Sequence, residues 1–223
     1  MKKACFCVII GNYDTLKTPN IVNNEWDYYC ITDQDITSDF WKIIKIESAL
    51  DSRWQSRYIW THFYNYIDCD IALKFDASMI INSDLNQLLI YLTPETDIVL
   101  TKHDRRDCIY KEGIAVIHKF PESKDIVNLQ MKRYDEIKFP KNFGLHYQGI
   151  RLMRNNEKIR KFNELWWNQI KNGCWRDQLS FDFLRWLLSE SEYDLNIVNV
   201  NYNLLTKQFF KNNKHNYEKT YPH

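Results

Sequence analysis

Residues 71–81 read IALKFDASMII, and the fold class depends on how this stretch is taken. Ile71, Ala72, Leu73 and Phe75 precede Asp76 and Ser78; Met79, Ile80 and Ile81 follow them. A short apolar run of this kind is expected of a strand buried on both faces of a parallel sheet. A carboxylate at the carboxyl end of such a strand is costly to bury without a partner. The carboxyl edge of a parallel sheet is also where α/β proteins bind ligands. Asp76 is therefore either a carboxylate satisfied within the core or a ligand for a metal and a phosphate. Ser78 lies two residues on, so in an extended chain both side chains leave the same face. Two oxygen ligands at that spacing suit a hard divalent cation carrying a diphosphate.

Upstream, residues 4–10 (ACFCVII) read as a first buried strand, ending in Gly11-Asn12-Tyr13-Asp14. These residues tolerate unusual backbone angles. Such a turn is either an ordinary strand-to-loop connection or the place where a doubly wound sheet holds a nucleotide. Residues 26–32 (WDYYCIT) read as a second strand ending at Asp33, and 41–46 (WKIIKI) as a third. The period then changes over 51–68. Trp54, Ile59, Phe63, Tyr66 and Ile67 approximate one helical face, while Arg53, Arg57 and Thr61 recur every four residues on another. Asp51 or Ser52 can cap this helix. Two arginines one turn apart form either a solvated stripe or a clamp for a diphosphate. Arg57 is the better placed, because Arg53 is nearer the fraying end.

Downstream, 84–92 reads as a short helix ended by Pro94, and 97–101 as a strand running into Lys102-His103-Asp104-Arg105-Arg106-Asp107. This dense charge cluster is either an ion-pair network or part of a functional edge. Residues 112–118 and 125–137 read as helices, LHYQGIRLMR (145–154) as a strand and 155–170 as a helix, with Gly173 as its stop. A further helix is expected to open at Trp175-Arg176-Asp177-Gln178, where Asp177 gains from the helix dipole. A strand over 196–200 precedes a polar, Asn- and Lys-rich tail containing His215. This alternation predicts an α/β fold, a mainly parallel central sheet flanked by helices. Without an internal repeat or a dividing linker, one domain over 1–223 is expected.

The formal net charge of +1 argues against a non-specific polyanion binder. The 8 Trp and 14 Tyr suit sugar or base recognition, although core packing is the default use of aromatics. None of the six cysteines forms a CxxC pair, so a zinc site is not expected. The first apolar run is short for a signal peptide, and no run approaches the ~20 apolar residues of a membrane span. The expectation is a soluble, cytoplasmic protein with reduced cysteines.

Several pieces together carry a resemblance. KFDAS, following a helix that bears Arg57, resembles the DxD-type metal motif of GT-A glycosyltransferases. KHDRRDCIYKEG (102–113) resembles the His-x-x-Arg-Asp-Cys-x-Tyr-x-Glu signature of the DUF616 glycosyltransferase-like family. WW at 166–167 and RDQLSF at 176–181 resemble that family's late motif, with similar order and spacing over roughly residues 50–185. VIIGNYD (8–14) is also similar to the opening of the small GT-A domains with which giant algal viruses build capsid glycans.

The resemblance implies transfer of a sugar from a nucleotide-diphosphate donor, UDP-linked, to a glycan acceptor, in the cytoplasm (the host's, if viral). The donor half would lie at about 1–100 and the acceptor half at about 101–223. Gly11, Asn12, Tyr13 and Asp33 would border the nucleoside, and Arg57 would meet the diphosphate. Asp76 and Ser78 would flank a manganese or magnesium ion, with His215 as a late ligand. Ser78 stands where the family has a second acid. Asp177, with Asp107 second, would take the acceptor proton or contact the donor sugar. Arg106 would orient donor hydroxyls or hold Asp107. Tyr147 and Gln148 would line the acceptor side, and Trp175 would stack on a sugar. Three alternatives compete. A phosphoryl-transfer enzyme wants a second Asp where Ser78 stands. A non-catalytic nucleotide-sugar or glycan-binding module is favoured by that same serine. A nucleic-acid binder would need a basic patch that the sequence lacks.

Overall fold

The computed structural model of the chain describes residues 1–212. Its sheet has seven strands in the order β3-β2-β1-β4-β7-β6-β8. They are β1 (Lys3–Ile9), β2 (Trp26–Thr32), β3 (Lys42–Lys45), β4 (Ile71–Phe75), β6 (Ile98–Lys102), β7 (His146–Arg154) and β8 (Ile197–Val200). The first four run parallel, and β7 is antiparallel to both β4 and β6. With β6 and β8 parallel to each other, the reversed β7 is the exception in a mainly parallel sheet. Five α-helices accompany it: α1 (Ser52–Thr61), α2 (Ile109–Lys119), α3 (Lys124–Glu136), α4 (Glu157–Lys171) and α5 (Phe181–Leu187).

Burial on both faces follows from the strand sequences. Cys5, Cys7, Leu73, Phe75, Ile150 and Leu152 pack on one side. Ala4, Phe6, Ala72 and Met153 pack on the other, against Ile59 of α1 and Ile159, Phe162 and Trp166 of α4. The Leu, Ile, Phe and Met side chains among them each contribute roughly 1.5–3 kcal/mol of burial energy. Asp51 caps α1, its carboxylate accepting from the Arg53 amide at 3.0 Å. Asn156 caps α4 through the Ile159 amide at 2.9 Å. All six cysteines are buried and free. Among the described residues, no helix is long and apolar enough to cross a membrane.

The run at 71–81 is not one strand. β4 stops at Phe75, and a turn closes with the Met79 amide donating to the Asp76 carbonyl at 2.9 Å. Met79–Ile81 then forms β5, which pairs antiparallel with β9 (Phe210–Asn212) in a separate two-stranded sheet. The stretch at 201–212, expected as polar tail, supplies β9 and the helical turn Leu204–Phe209. Of its apolar residues, Leu205, Phe209 and Phe210 are buried and Leu204 is partly buried. The helix expected to open at 175 is instead a short 3-10 turn, Asp177–Leu179, followed by α5.

Candidate functional site

Lys74 lies near the carboxyl end of β4, and Asp76 directly follows the strand. Lys74 is fully buried. Its Nζ donates to Asp76 Oδ1 at 2.6 Å and to the Gln148 carbonyl at 3.1 Å, and lies 3.6 Å from the centre of a Trp60 ring. The Asp76 side chain keeps 29% of its surface in solvent. Directly across the ladder from Lys74 stands Arg151 of β7, also fully buried. Arg151 lies over Trp166 at 4.8 Å and donates to the Trp60 carbonyl at 3.3 Å. Like charges facing each other across a ladder are destabilising, more so away from water. Burial pushes the Lys74 ammonium below its usual range, against the pull of Asp76 and Asp177. It pushes Arg151 down to about 10, again against Asp177 and Asp76. The two carboxylates therefore offset a cationic pair that the core alone would not tolerate.

Two more cations join them. Arg57, from α1, donates to Ser56 Oγ at 3.0 Å and lies 4.6 Å from Trp60 and 5.4 Å from Trp175. Burial lowers its pKa; Asp177, Asp76 and Tyr13 pull it up and Arg176 pushes it down, so these side chains share one electrostatic neighbourhood. Asp177 is buried, and its Oδ1 accepts from the Gln178 amide at 3.0 Å. Ser180 secures the turn, donating to the Asp177 carbonyl at 3.1 Å while accepting from Trp166 Nε1 at 3.1 Å. From α3, the buried Gln130 accepts the Cys174 amide at 2.7 Å and donates to Tyr134 at 2.7 Å. Gly173 makes room for it, since a Cβ there would sit 2.7 Å from Gln130 Oε1. Among the described residues, the buried Nε atoms of Arg57, Arg151 and Arg176 and the Nε2 of Gln178 have no hydrogen-bond acceptor. Buried donors of this kind are seldom left unpaired.

Tyr147, at the start of β7, roofs this edge. Its ring crosses Gly149, where a Cβ would meet the hydroxyl at 2.2 Å, and packs 5.5 Å from Tyr202. Burial raises its pKa well above the usual value, with Asp76 adding to the rise. Gly149 in turn accepts the Asp76 amide at 2.9 Å. Below it, Asp182 of α5 anchors the strand, accepting from the His146 amide at 2.7 Å and meeting His146 Nδ1 at 2.6 Å.

Gly11, Asn12 and Asp33, expected to border a nucleoside, lie together at one turn. Gly11 and Asn12 both have left-handed backbone, φ 68° and 56°. The Gly11 amide donates to both oxygens of Asp33 at 3.1 Å, which ties the carboxyl ends of β1 and β2 together. A Cβ at Gly11 would meet Ser52 at 2.8 Å, so glycine lets α1 begin here. A cleft of about 340 Å³, lined in part by Asp14, Lys17, Gln34 and Trp41, opens beside this turn.

Other expected residues lie elsewhere. Ser78 is buried within the turn after β4, so strand alternation no longer puts it beside Asp76. With one Asp76 oxygen engaged by Lys74, the described residues do not fit a divalent ion. No group of three metal-ligating side chains occurs among them. His215 lies outside the described residues. Asp107 is exposed and pairs with Lys111 at 3.0 Å. Arg106 is bound to Glu112 and reaches His103 Nε2 at 3.1 Å, while His103 Nδ1 accepts the Arg105 and Arg106 amides at 3.0 and 3.1 Å. The His-x-x-Arg…Glu residues thus brace a loop against α2. Trp175, partly buried, has Arg53 over its ring at 4.7 Å and Arg57 at 5.4 Å. Lys74, Arg151 and Arg176 were not anticipated. The available signal was a cation inside each of two otherwise apolar strands, IALKF and GIRLM.

The sequence matches no protein-family model and no curated protein. Among solved structures, the fold is similar to that of the mannosyltransferase Ktr4p from S. cerevisiae. Identity is 9%, over 82% of this chain and 65% of that one, with a TM-score of 0.47. It is also similar to mouse xyloside xylosyltransferase 1, at 8% identity over 90% of this chain and 86% of that one, TM-score 0.45. A third is the glycosyltransferase GlyE of Streptococcus pneumoniae, at 14% identity over 92% of this chain and 46% of that one, TM-score 0.47. The chain thus spans less than two thirds of the Ktr4p and GlyE chains. At these identities the likeness is one of shape only.

Proposed function

We propose that this chain is a GT-A-type glycosyltransferase moving a sugar from a nucleoside-diphosphate donor, UDP-linked, to a glycan hydroxyl. The observation that carries this reading is the cationic cluster of Arg57, Lys74, Arg151 and Arg176 around Asp76 and Asp177 at the carboxyl edge of the sheet. Cleaving a sugar–diphosphate bond leaves negative charge on the departing phosphate. Preorganised cations in a partly desolvated site stabilise such charge far better than water does. The Gly11–Tyr13 turn and Asp33 border the nucleoside beside the adjoining cleft, and Tyr13 acts on Arg57. Asp177 takes the acceptor proton or holds a donor hydroxyl. Tyr147 and Gln148 face the acceptor. The motif likeness to DUF616 and to the viral capsid-glycan domains supports the same activity, and six buried thiols suit a reducing cytoplasm.

The test is incubation with a panel of UDP- and GDP-sugars, following donor hydrolysis and melting temperature. Hydrolysis of at least one donor, lost in Asp177→Asn, is expected. A panel that neither shifts the melt nor turns over would end the reading. The Lys74–Asp76 pair favours one alternative, a nucleotide-sugar-binding module without turnover. It predicts a melting shift with UDP but no hydrolysis of any donor.

A further inference from the structure

Within the glycosyltransferase reading, we propose that the donor diphosphate is held and discharged by the Lys74, Arg57, Arg151 and Arg176 side chains, without a divalent cation. The motif KFDAS leads one to expect a metal between carboxylate and diphosphate. The geometry opposes that arrangement on three counts. First, Lys74 Nζ sits 2.6 Å from Asp76 Oδ1, so an ammonium already stands against the carboxylate that a metal would need. Secondly, the partner two residues on is a neutral serine in a turn. Thirdly, among the described residues no other carboxylate, imidazole or thiolate completes a three-ligand set.

What the chain assembles instead is charge of the opposite sign. Four cations face two carboxylates in this neighbourhood. The imbalance matches a diphosphate bearing one negative charge on each phosphate. Opposing Lys74 and Arg151 directly across a ladder works against stability. The cost is understandable if an anion completes the cluster. The unpaired Nε atoms of Arg57, Arg151 and Arg176 are the donors left for it, in the fork geometry that suits phosphate oxygens. Trp60 lies under both Lys74 and Arg57, at 3.6 and 4.6 Å, and keeps both cations charged in an apolar setting.

The reaction balances without a metal. The bond from the anomeric carbon to the β-phosphate oxygen breaks, its electron pair passing to that oxygen. The acceptor oxygen bonds the anomeric carbon, and its proton goes to Asp177. The charge gained by the nucleoside diphosphate is met by the cation cluster.

The experiment is calorimetric titration of UDP into the full chain, in EDTA and in manganese, for the wild type, Lys74→Met and Arg57→Gln. Wild-type affinity is expected to be the same in both buffers. Each variant is expected to lose about 10- to 100-fold, the worth of one charge-assisted contact. Lys74→Met removes a buried cation whose partner can hydrate, and Arg57→Gln changes a half-buried side chain. Unaltered circular dichroism therefore keeps both informative. Binding that vanishes in EDTA and returns with manganese overturns the inference while leaving the glycosyltransferase reading intact. Variants that bind like the wild type overturn it too. Failure of UDP and GDP to bind in either buffer strikes the donor-site reading itself.

Discussion

The Lys74–Asp76 pair predicts an asymmetry between removing its two halves. Asp76→Asn leaves a fully buried ammonium facing Arg151, with the Gln148 carbonyl and the Trp60 ring as its remaining close support. Breaking a wholly buried ion pair costs about 3–5 kcal/mol. Asp76 retains 29% of its side-chain surface in water, so the loss is nearer that of one charge-assisted hydrogen bond, about 1.5–3 kcal/mol. For a chain of this size each kcal/mol moves the melting temperature by about 2–4 °C. Asp76→Asn should therefore melt about 3–12 °C lower. Lys74→Met does the reverse. It leaves a carboxylate that water can reach, relieves the opposition to Arg151 and lays a thioether chain of similar length on Trp60. Its stability should fall within about 1 kcal/mol of the wild type, or exceed it. Scanning calorimetry of the ligand-free proteins decides the matter. A Lys74→Met protein destabilised as much as Asp76→Asn would show that the lysine is structural, and the argument that it awaits an anion would fail.

Three other expectations concern supports of the fold in and around the site. Burial and the neighbouring Arg106 lower the His103 pKa from 6.5, and its Nδ1 accepts two amides. The unfolded chain thus binds this proton first, and stability should fall as the pH drops below about 6.5; thermal melts of His103→Asn between about pH 7 and about pH 5 should show a shallower fall than the wild type. Gln130→Ala strands the buried Cys174 amide and loosens the Asp177 turn; a loss of about 1–3 kcal/mol in urea titrations is expected, with reduced donor hydrolysis. Gly149→Ala drives the Tyr147 ring aside at a cost of about 1–3 kcal/mol, measured by thermal melting. Made in a Tyr147→Leu background, the same change should cost almost nothing, and an equal cost in both would rule the ring out as the obstacle.

The strands were legible because ACFCVII and WDYYCIT are apolar enough for burial, and the helices because their apolar residues recur at helical spacing. The mainly parallel sheet was legible from the alternation of strands and helices, but the one reversal in it was not. Nothing in LHYQGIRLMR says that β7 runs against its neighbours. The break at Asp76 was hidden because apolar residues resume at Met79, in a strand that belongs to a different sheet. Gly11, Asn12, Asp33, Arg57, Asp76 and Asp177 were singled out from their positions at strand and helix ends, and the structure sets Arg57, Asp76 and Asp177 in one electrostatic neighbourhood. Lys74 and Arg151 were passed over because a lone cation in a strand normally reaches for solvent. Here their stems run between tryptophans contributed by α1 and α4, a neighbourhood that only tertiary packing creates. The charge cluster at 102–107, open in the sequence to two readings, forms the ion-pair network, with Arg106 on Glu112 and Asp107 on Lys111.

The pairing of β5 with β9 joins strands far apart in the sequence, at residues 79–81 and 210–212. Contacts of such long sequence separation close late, because the loop entropy must be met first. While the chain emerges from the ribosome, the segment carrying Asp76 has its upstream anchor in β4 but must wait for residues 210–212 before its downstream side is fastened. In the nascent protein the segment carrying Asp76 should thus be the last part of this edge to be fastened, once β8 (Ile197–Val200) has completed the main sheet.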